Sequence, residues 1–516
     1  RSVLNRHEQS VWISRGENKA QWALLHSAAS LAQACEDIDR QLSEHTRTID
    51  TLLDFYTNNI REVDRLQREF EQAAGDLLDS GGASVEVISQ SRSTYRKLMD
   101  KVHDAFIRHI EKTGWPISGR LSNADVFDKL VAPKLLESGR RVAYLLIDAV
   151  RYELGVELAK HLNEAGQVDV QVACAQMPTV TPVGMATLLP GAGQSLKLMN
   201  KDNQLLVVFS DQPLSTVTQR MDVLRKKYGQ RFAEIELARF VHDYPKIEST
   251  VELLVIRSND MDNDFEANPE AAPGLISRTF QKISSAIFKL HDLGFQDVII
   301  ATDHGFFLNT AIEPGDVCAK PSGKWINVHE RTLLGDGIGD AANLVLPAEM
   351  LGIRGEYNQV AIPRALVSYR AGQWYFHGGL SLQEAIVPVI VVKIHTAETG
   401  IVSKLSVILN YKHGSKKINT RLPIIEVEAD ASDLFAQETE LLIEAYDVKG
   451  QVVGEAKLGG PVNPASGTIT LKPGETISIT LKMDMDFEGK FVVKALDPIT
   501  QTALGKPLEL ETDYTV

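Results

Sequence analysis

The run Val142-Ala143-Tyr144-Leu145-Leu146-Ile147 is six residues without a charge, and it stops on Asp148. A stretch this short and this apolar fits a strand buried on both faces. The helical pattern from residue 153 to 161 that follows makes it the first half of a strand–helix unit. The same texture holds from about residue 117 to 395, where residues 168–174, 205–209, 253–256 and 298–300 read as further strands between helical stretches. Alternation of this kind predicts an α/β domain with a mostly parallel sheet and helices on its faces. Ligands in such sheets sit beyond the carboxyl ends of the strands.

On either side the pattern changes, which divides the 516 residues into a helical segment (1–116), the α/β domain (117–399) and a C-terminal domain (400–516). In the first, Leu31, Cys35, Ile38 and Leu42, and later Ile60, Val63, Leu66 and Phe70, recur at three- and four-residue steps, the spacing of one helix face. This segment is either a module that docks a partner or a packing appendage. In the last, short runs such as 424–429, 441–446, 476–481 and 491–496 alternate with turns, as in a small antiparallel β-sandwich. Neither flank holds a cluster of ligating side chains, so both are expected to tune substrate or partner choice rather than to carry chemistry.

The formal net charge of -14 disfavours a surface that is a nucleic-acid platform throughout. Local basic segments remain, Arg225-Lys226-Lys227 and residues 412–417, which are solvated surface or contacts to a phosphate backbone. The three cysteines, Cys35, Cys174 and Cys318, form no CxxC pair, which suits small core residues in a reducing cytoplasm. No apolar run reaches membrane-spanning length, so a cytoplasmic location without membrane contact is expected. The chain opens on Arg1-Ser2-Val3, as a piece of a longer protein would.

Chemistry concentrates at the ends of the strands. Asp148 directly follows one run, and Asp303-His304-Gly305 directly follows another. Carboxylate and imidazole on one rim of a sheet suit zinc, manganese and related cations, although an aspartate there also serves as a helix cap. Between them lies Met177-Pro178-Thr179-Val180-Thr181-Pro182, two hydroxyls held between prolines at the entry to a short helix. A threonine here caps the helix, or it attacks phosphorus while a metal lowers its pKa and the helix end receives the phosphate. Later, Trp374-Tyr375-Phe376-His377-Gly378-Gly379 is an aromatic turn around a histidine.

Asp148, the Pro-Thr-Val-Thr-Pro segment, Asp303-His304-Gly305 and His377-Gly378-Gly379 resemble the alkaline-phosphatase superfamily in order and spacing. Within it, residues 144–153, 177–191 and 301–306 look like the three motifs of the PglZ domain, found in bacterial phage-exclusion (BREX) systems. The resemblance implies a metal-dependent phosphodiesterase or phosphatase of phage defence, working with other defence proteins on a nucleic-acid or nucleotide substrate. The alternative is an assembly scaffold with little turnover. It also implies two divalent ions about 4 Å apart, zinc or manganese and magnesium. Carried over by position, Asp148, Thr181, Asp303 and His304 surround one ion, with Thr181 rather than Thr179 as nucleophile. His377 binds the other. Its remaining ligands would come from Asp260 and Asp264, which have the four-residue spacing, unless these belong to a solvated acidic loop. Aspartate at 264, where many relatives have histidine, would weaken that site and shift it toward manganese.

Overall fold

The computed structural model describes residues 17–77, 82–163, 165–242, 246–311, 317–394, 407–412, 414–429, 438–448, 450–463, 467–472, 474–498 and 503–514. Contacts group the chain into two compact units. The larger takes in residues up to 237, 246–280 and 293–394, and the smaller takes in 238–245, 281–292 and 395–516.

The larger unit is built on a seven-stranded sheet: β1 (Leu121–Ser122), β2 (Val142–Ile147), β3 (Gly166–Cys174), β4 (Phe232–Glu236), β5 (Leu253–Ser258), β6 (Asp297–Ala301) and β7 (Ile386–Ile394). Their order across the sheet is β1-β3-β7-β6-β2-β5-β4. Only β7 runs antiparallel to its neighbours β3 and β6, and the other pairings are parallel. Every residue of β2 and of β6 is buried, as expected of central strands covered on both faces. The sheet is therefore the mostly parallel α/β layer that the sequence predicts.

One expectation is corrected. Residues 204–209 belong to a separate three-stranded antiparallel sheet, Leu196–Lys201, Gln204–Phe209 and Gln212–Pro213. Asp202 and Asn203 at its first turn have φ of 53° and 61°, the left-handed pair that a two-residue hairpin turn requires. The polar pair between two apolar runs is a hairpin signal that outweighs reading the second run as a parallel strand. A four-stranded antiparallel sheet, Gly323–His329, Thr332–Gly337, Asn343–Pro347 and Gln359–Pro363, is also inserted before β7.

The helical segment is part of the same unit. Helices α1 (Glu17–His45), α2 (Arg61–Gly75) and α3 (Ala83–Thr113) contribute Leu31, Phe70 and Phe106 to one apolar cluster with Val142, Tyr144 and Ile299 of the sheet. Polar contacts reinforce it. Arg68 makes two bonds to Glu153, Nε to Oε1 at 3.1 Å and Nη2 to Oε2 at 3.2 Å, with both side chains buried. Asp64 accepts from Tyr95 at 2.8 Å, from Tyr56 at 3.1 Å and from Gln383 at 3.2 Å.

The C-terminal strands include the expected Ile424–Ala429, Thr439–Asp447, Thr476–Met483 and Lys490–Leu496. Hydrogen bonds join nine strands into one curled sheet around its own core of Val427, Ile443, Leu481, Val493 and others, where two facing layers were expected. Among the described residues no helix is long and apolar enough to cross a membrane. All three cysteines are free and buried.

Candidate metal centre

Asp148 leaves the carboxyl end of β2, and its N–H donates to Ser258 O at 2.9 Å on the neighbouring β5. Ala149, next in the chain, holds a left-handed φ of 57°, a conformation that a non-glycine residue keeps only when its surroundings enforce it. They do: Ala149 N–H donates to Asp303 Oδ1 at 3.2 Å, and Val150 N–H donates to Thr302 Oγ1 at 2.9 Å. The ends of β2 and β6 are thereby pinned together, with Asp148 and Asp303 side by side.

Thr181 opens helix α4 (Thr181–Thr187), and no side chain caps that helix. Its hydroxyl lies 3.3 Å from His304 Nε2 and 3.5 Å from Asp148 Oδ1. The N–H groups of Val183 and Gly184 both donate to Val180 O, so they are not offered to a phosphate as the sequence reading has it. Thr179 is buried, and its hydroxyl donates to Gly379 O at 2.6 Å. Gly184 lets the helix approach, because a Cβ there would sit 2.6 Å from Asp303 Cβ. Gly305 does the same beside His304, where a Cβ would meet Gln383 O at 2.1 Å.

The histidines are oriented by main-chain carbonyls. His304 Nδ1 lies 3.0 Å from Gly305 O, and His377 Nδ1 lies 3.0 Å from Thr179 O. A carbonyl only accepts, so each Nδ1 carries the proton and each Nε2 presents a lone pair. The two rings stack at 4.1 Å, and the His329 ring packs against His377 at 4.2 Å, tilted by 34°. The His377-Gly378-Gly379 loop is held by the buried Glu384, which accepts from Gly379 N–H at 2.8 Å and Ser381 N–H at 3.0 Å and pairs with the buried Arg331.

Among the described residues, the acidic and imidazole side chains form two groups suited to a cation. One is Asp148, Asp303 and His304, and the other is Glu266, His329 and His377. Asp262 joins the second, with Oδ1 4.0 Å from His377 Nε2 and accepting from Tyr375 OH at 2.5 Å. Asp262 and Glu266 lie four apart on helix α5' s span of residues, Asp260–Ala267. Asp260 and Asp264 are on the same helix, half-buried, and stand outside both groups. The pair expected from the sequence, Asp260 and Asp264, stands two residues before Asp262 and Glu266, the carboxylates that lie near His377. The run Asp260-Met261-Asp262-Asn263-Asp264-Phe265-Glu266 offers that spacing twice, and burial of Met261 and Phe265 fixes the helix so that the later pair meets His377. His329 ends a strand of the inserted sheet, and only its position in space marks it.

The electrostatics call for positive charge. Burial and the neighbouring carboxylates of Asp303 and Asp262 push Asp148 well above the ordinary carboxylate range. Burial also raises Asp303, although His304 opposes it. His377 is pushed down by burial and by the two imidazoles beside it. Asp303 Oδ2 and His377 Nε2 are buried without a hydrogen-bond partner. Orphaned donors of electron pairs, in oxygen and nitrogen sets, are what divalent cations satisfy, so the residues fit a metal. Within the basic segments Arg225 pairs with Asp222 and Glu234, and Lys417 with Asp513, while His413 lies outside the described residues.

Residues 126–392 match the family described as "BREX system PglZ alkaline phosphatase-like domain". The chain is 24% identical over 407 residues to an "Alkaline phosphatase-like protein PglZ" of Bacillus cereus (strain H3081.97), covering 73% of this chain and 45% of that protein. It is 24% identical over 302 residues to an "Alkaline phosphatase-like protein BrxZ" of Escherichia coli O9:H4 (strain HS), covering 54% and 33%. The chain thus spans less than half the length of these curated relatives. A phosphonoacetate hydrolase from Sinorhizobium meliloti 1021, solved with phosphonoacetate, is similar at a TM-score of 0.32 and 14% identity, over 50% of this chain and 92% of that one.

Proposed function

Because the chain belongs to the family of BREX system PglZ alkaline phosphatase-like domains, we propose that it hydrolyses phosphoesters with divalent metal and with Thr181 as nucleophile. The observation that carries this reading is the approach of Thr181 Oγ1 to His304 Nε2 and Asp148 Oδ1, at 3.3 and 3.5 Å. We assign Asp148, Thr181, Asp303 and His304 to one ion and Asp262, Glu266, His329 and His377 to the other. When bound, the cations neutralise phosphoryl charge and favour the ionised hydroxyl. The carboxylates of Asp262 and Glu266 make the second site harder than one rich in histidine, which favours manganese or magnesium there.

Thr181 Oγ, its proton released to water, attacks phosphorus. The new P–O bond forms as the ester oxygen leaves with its electron pair, and water then cleaves the threonyl phosphoester. Thr179 cannot substitute, since its hydroxyl is committed to Gly379 O. The setting is phage defence in the cytoplasm alongside other proteins of the same system, with a nucleotide or nucleic acid as substrate. Rapid quench of the reaction with a phosphodiester, followed by peptide mapping, is expected to find on Thr181 the mass of the phosphoryl group with its remaining ester. Turnover with the adduct on another residue, or an adduct on Thr179, rejects this nucleophile. A scaffold without turnover predicts no adduct under any metal.

A further inference from the structure

Two cavities meet at His329 and Glu330, and they differ in charge. The first, about 520 Å³, is bordered by Glu266 and Glu270 together with Phe265, Trp374 and Tyr375, and its lining includes no lysine or arginine. The second, about 490 Å³, is bordered by Lys320, Asn327, Tyr369 and Arg370. His329 and Glu330 line both. The second cavity therefore starts at the edge of the group formed by Glu266, His329 and His377. Its one carboxylate is already engaged: Glu330 pairs with His329 and stands 3.8 Å from Arg370 Nη1.

We infer that the second cavity is a subsite for a second phosphate of the substrate, held by Lys320 and Arg370. This rests on the reading above, in which the scissile phosphate sits at Thr181. From there the rings of His304, His377 and His329 lead to the cavity in steps of 4.1 and 4.2 Å between centroids, the first stacked and the second tilted. A polyanionic substrate has two ways out of the site. The route past Glu266 and Glu270 brings a phosphate against carboxylates and offers aromatic surface instead, which suits an uncharged or ring-bearing group. The route past His329 meets an ammonium and a guanidinium, with Asn327 and the Tyr369 ring beside them. Charge alone thus orients the substrate, anionic remainder toward Lys320 and Arg370. The ligand class is a nucleotide with phosphates on both sides of one sugar, as in a nucleic-acid strand or a nucleoside bisphosphate, rather than a lone monoester.

Calorimetry on the full chain with manganese tests this with thymidine 5′-phosphate and thymidine 3′,5′-bisphosphate. The bisphosphate is expected to bind about tenfold tighter, and more salt should narrow the gap. In Lys320→Glu/Arg370→Glu the gap should close or invert, and in Lys320→Ala/Arg370→Ala it should shrink. Equal affinities in the unaltered chain, or a preference that survives the charge reversal in folded protein, overturn the subsite. A bisphosphate preference without hydrolysis of any phosphoester keeps the subsite and rejects the hydrolase reading. Hydrolysis without the preference does the reverse.

Discussion

At the level of single residues, the centre is defined by which atoms are left over. The imidazoles of His304 and His377 spend Nδ1 on carbonyls, and Thr179 spends its hydroxyl, while Asp303 Oδ2 and His377 Nε2 are buried without a hydrogen-bond partner and Thr181 Oγ1 lies beside Asp148 Oδ1 and His304 Nε2. Glu266, not Asp264, groups with His329 and His377. Glu266→Ala should remove the weaker of two steps when metal-free protein is titrated with manganese in a calorimeter, and Asp264→Ala should leave both. Loss of the step with Asp264→Ala and not with Glu266→Ala would return the ligand to the earlier position. As candidates, Asp148, Thr181, Asp303, His304 and His377 were legible because strand ends and Gly or Pro neighbours mark them in the sequence. Asp262 and Glu266 were not, because the phase of a helix depends on which residues its neighbours bury. His329 reaches the site from an inserted hairpin, and a lone histidine at a strand end carries no signal of its destination.

At the level of elements, the helical segment is less separable than its sequence implies. Periodicity identifies its helices, but it says nothing of what their polar residues touch. Arg68 crosses to Glu153 on the helix that follows Asp148, and Asp64 reaches Gln383 beside the final strand. Arg68→Ala should lower stability by about 3 kcal/mol, the cost of leaving one partner of a buried pair behind. Arg151, 3.2 Å from Glu153, keeps that cost at the lower end. Denaturant unfolding measures it, and a change within 0.5 kcal/mol, the size of a surface substitution, would show that the pair is not structural. By the same argument residues 117–400 alone leave Phe307 without the Tyr95 ring stacked on it and the buried Glu153 without Arg68, and are expected to unfold rather than to bind metal. The parallel strands themselves were legible, since uncharged runs ending on acids leave few alternatives. The inserted antiparallel sheets, half-exposed and closed by their own turns, do not stand out from the helices and loops around them.

For the whole molecule, the net charge of -14 and the carboxylates of the centre act in one direction. Both repel a polyanion until cations occupy the site, so metal should control affinity as well as rate. The proposed function comes down to a single claim, that metal and Thr181 act together on a phosphoester. Its most direct test is hydrolysis of bis(4-nitrophenyl) phosphate by chelator-treated protein before and after manganese or zinc is restored, for the unaltered chain and for Thr181→Ala. The account predicts no turnover without metal and recovery with it. In Thr181→Ala it predicts a loss of about 10³-fold or more with metal binding retained. Turnover that survives the chelator, or a Thr181→Ala chain that recovers as fully as the original, would contradict it.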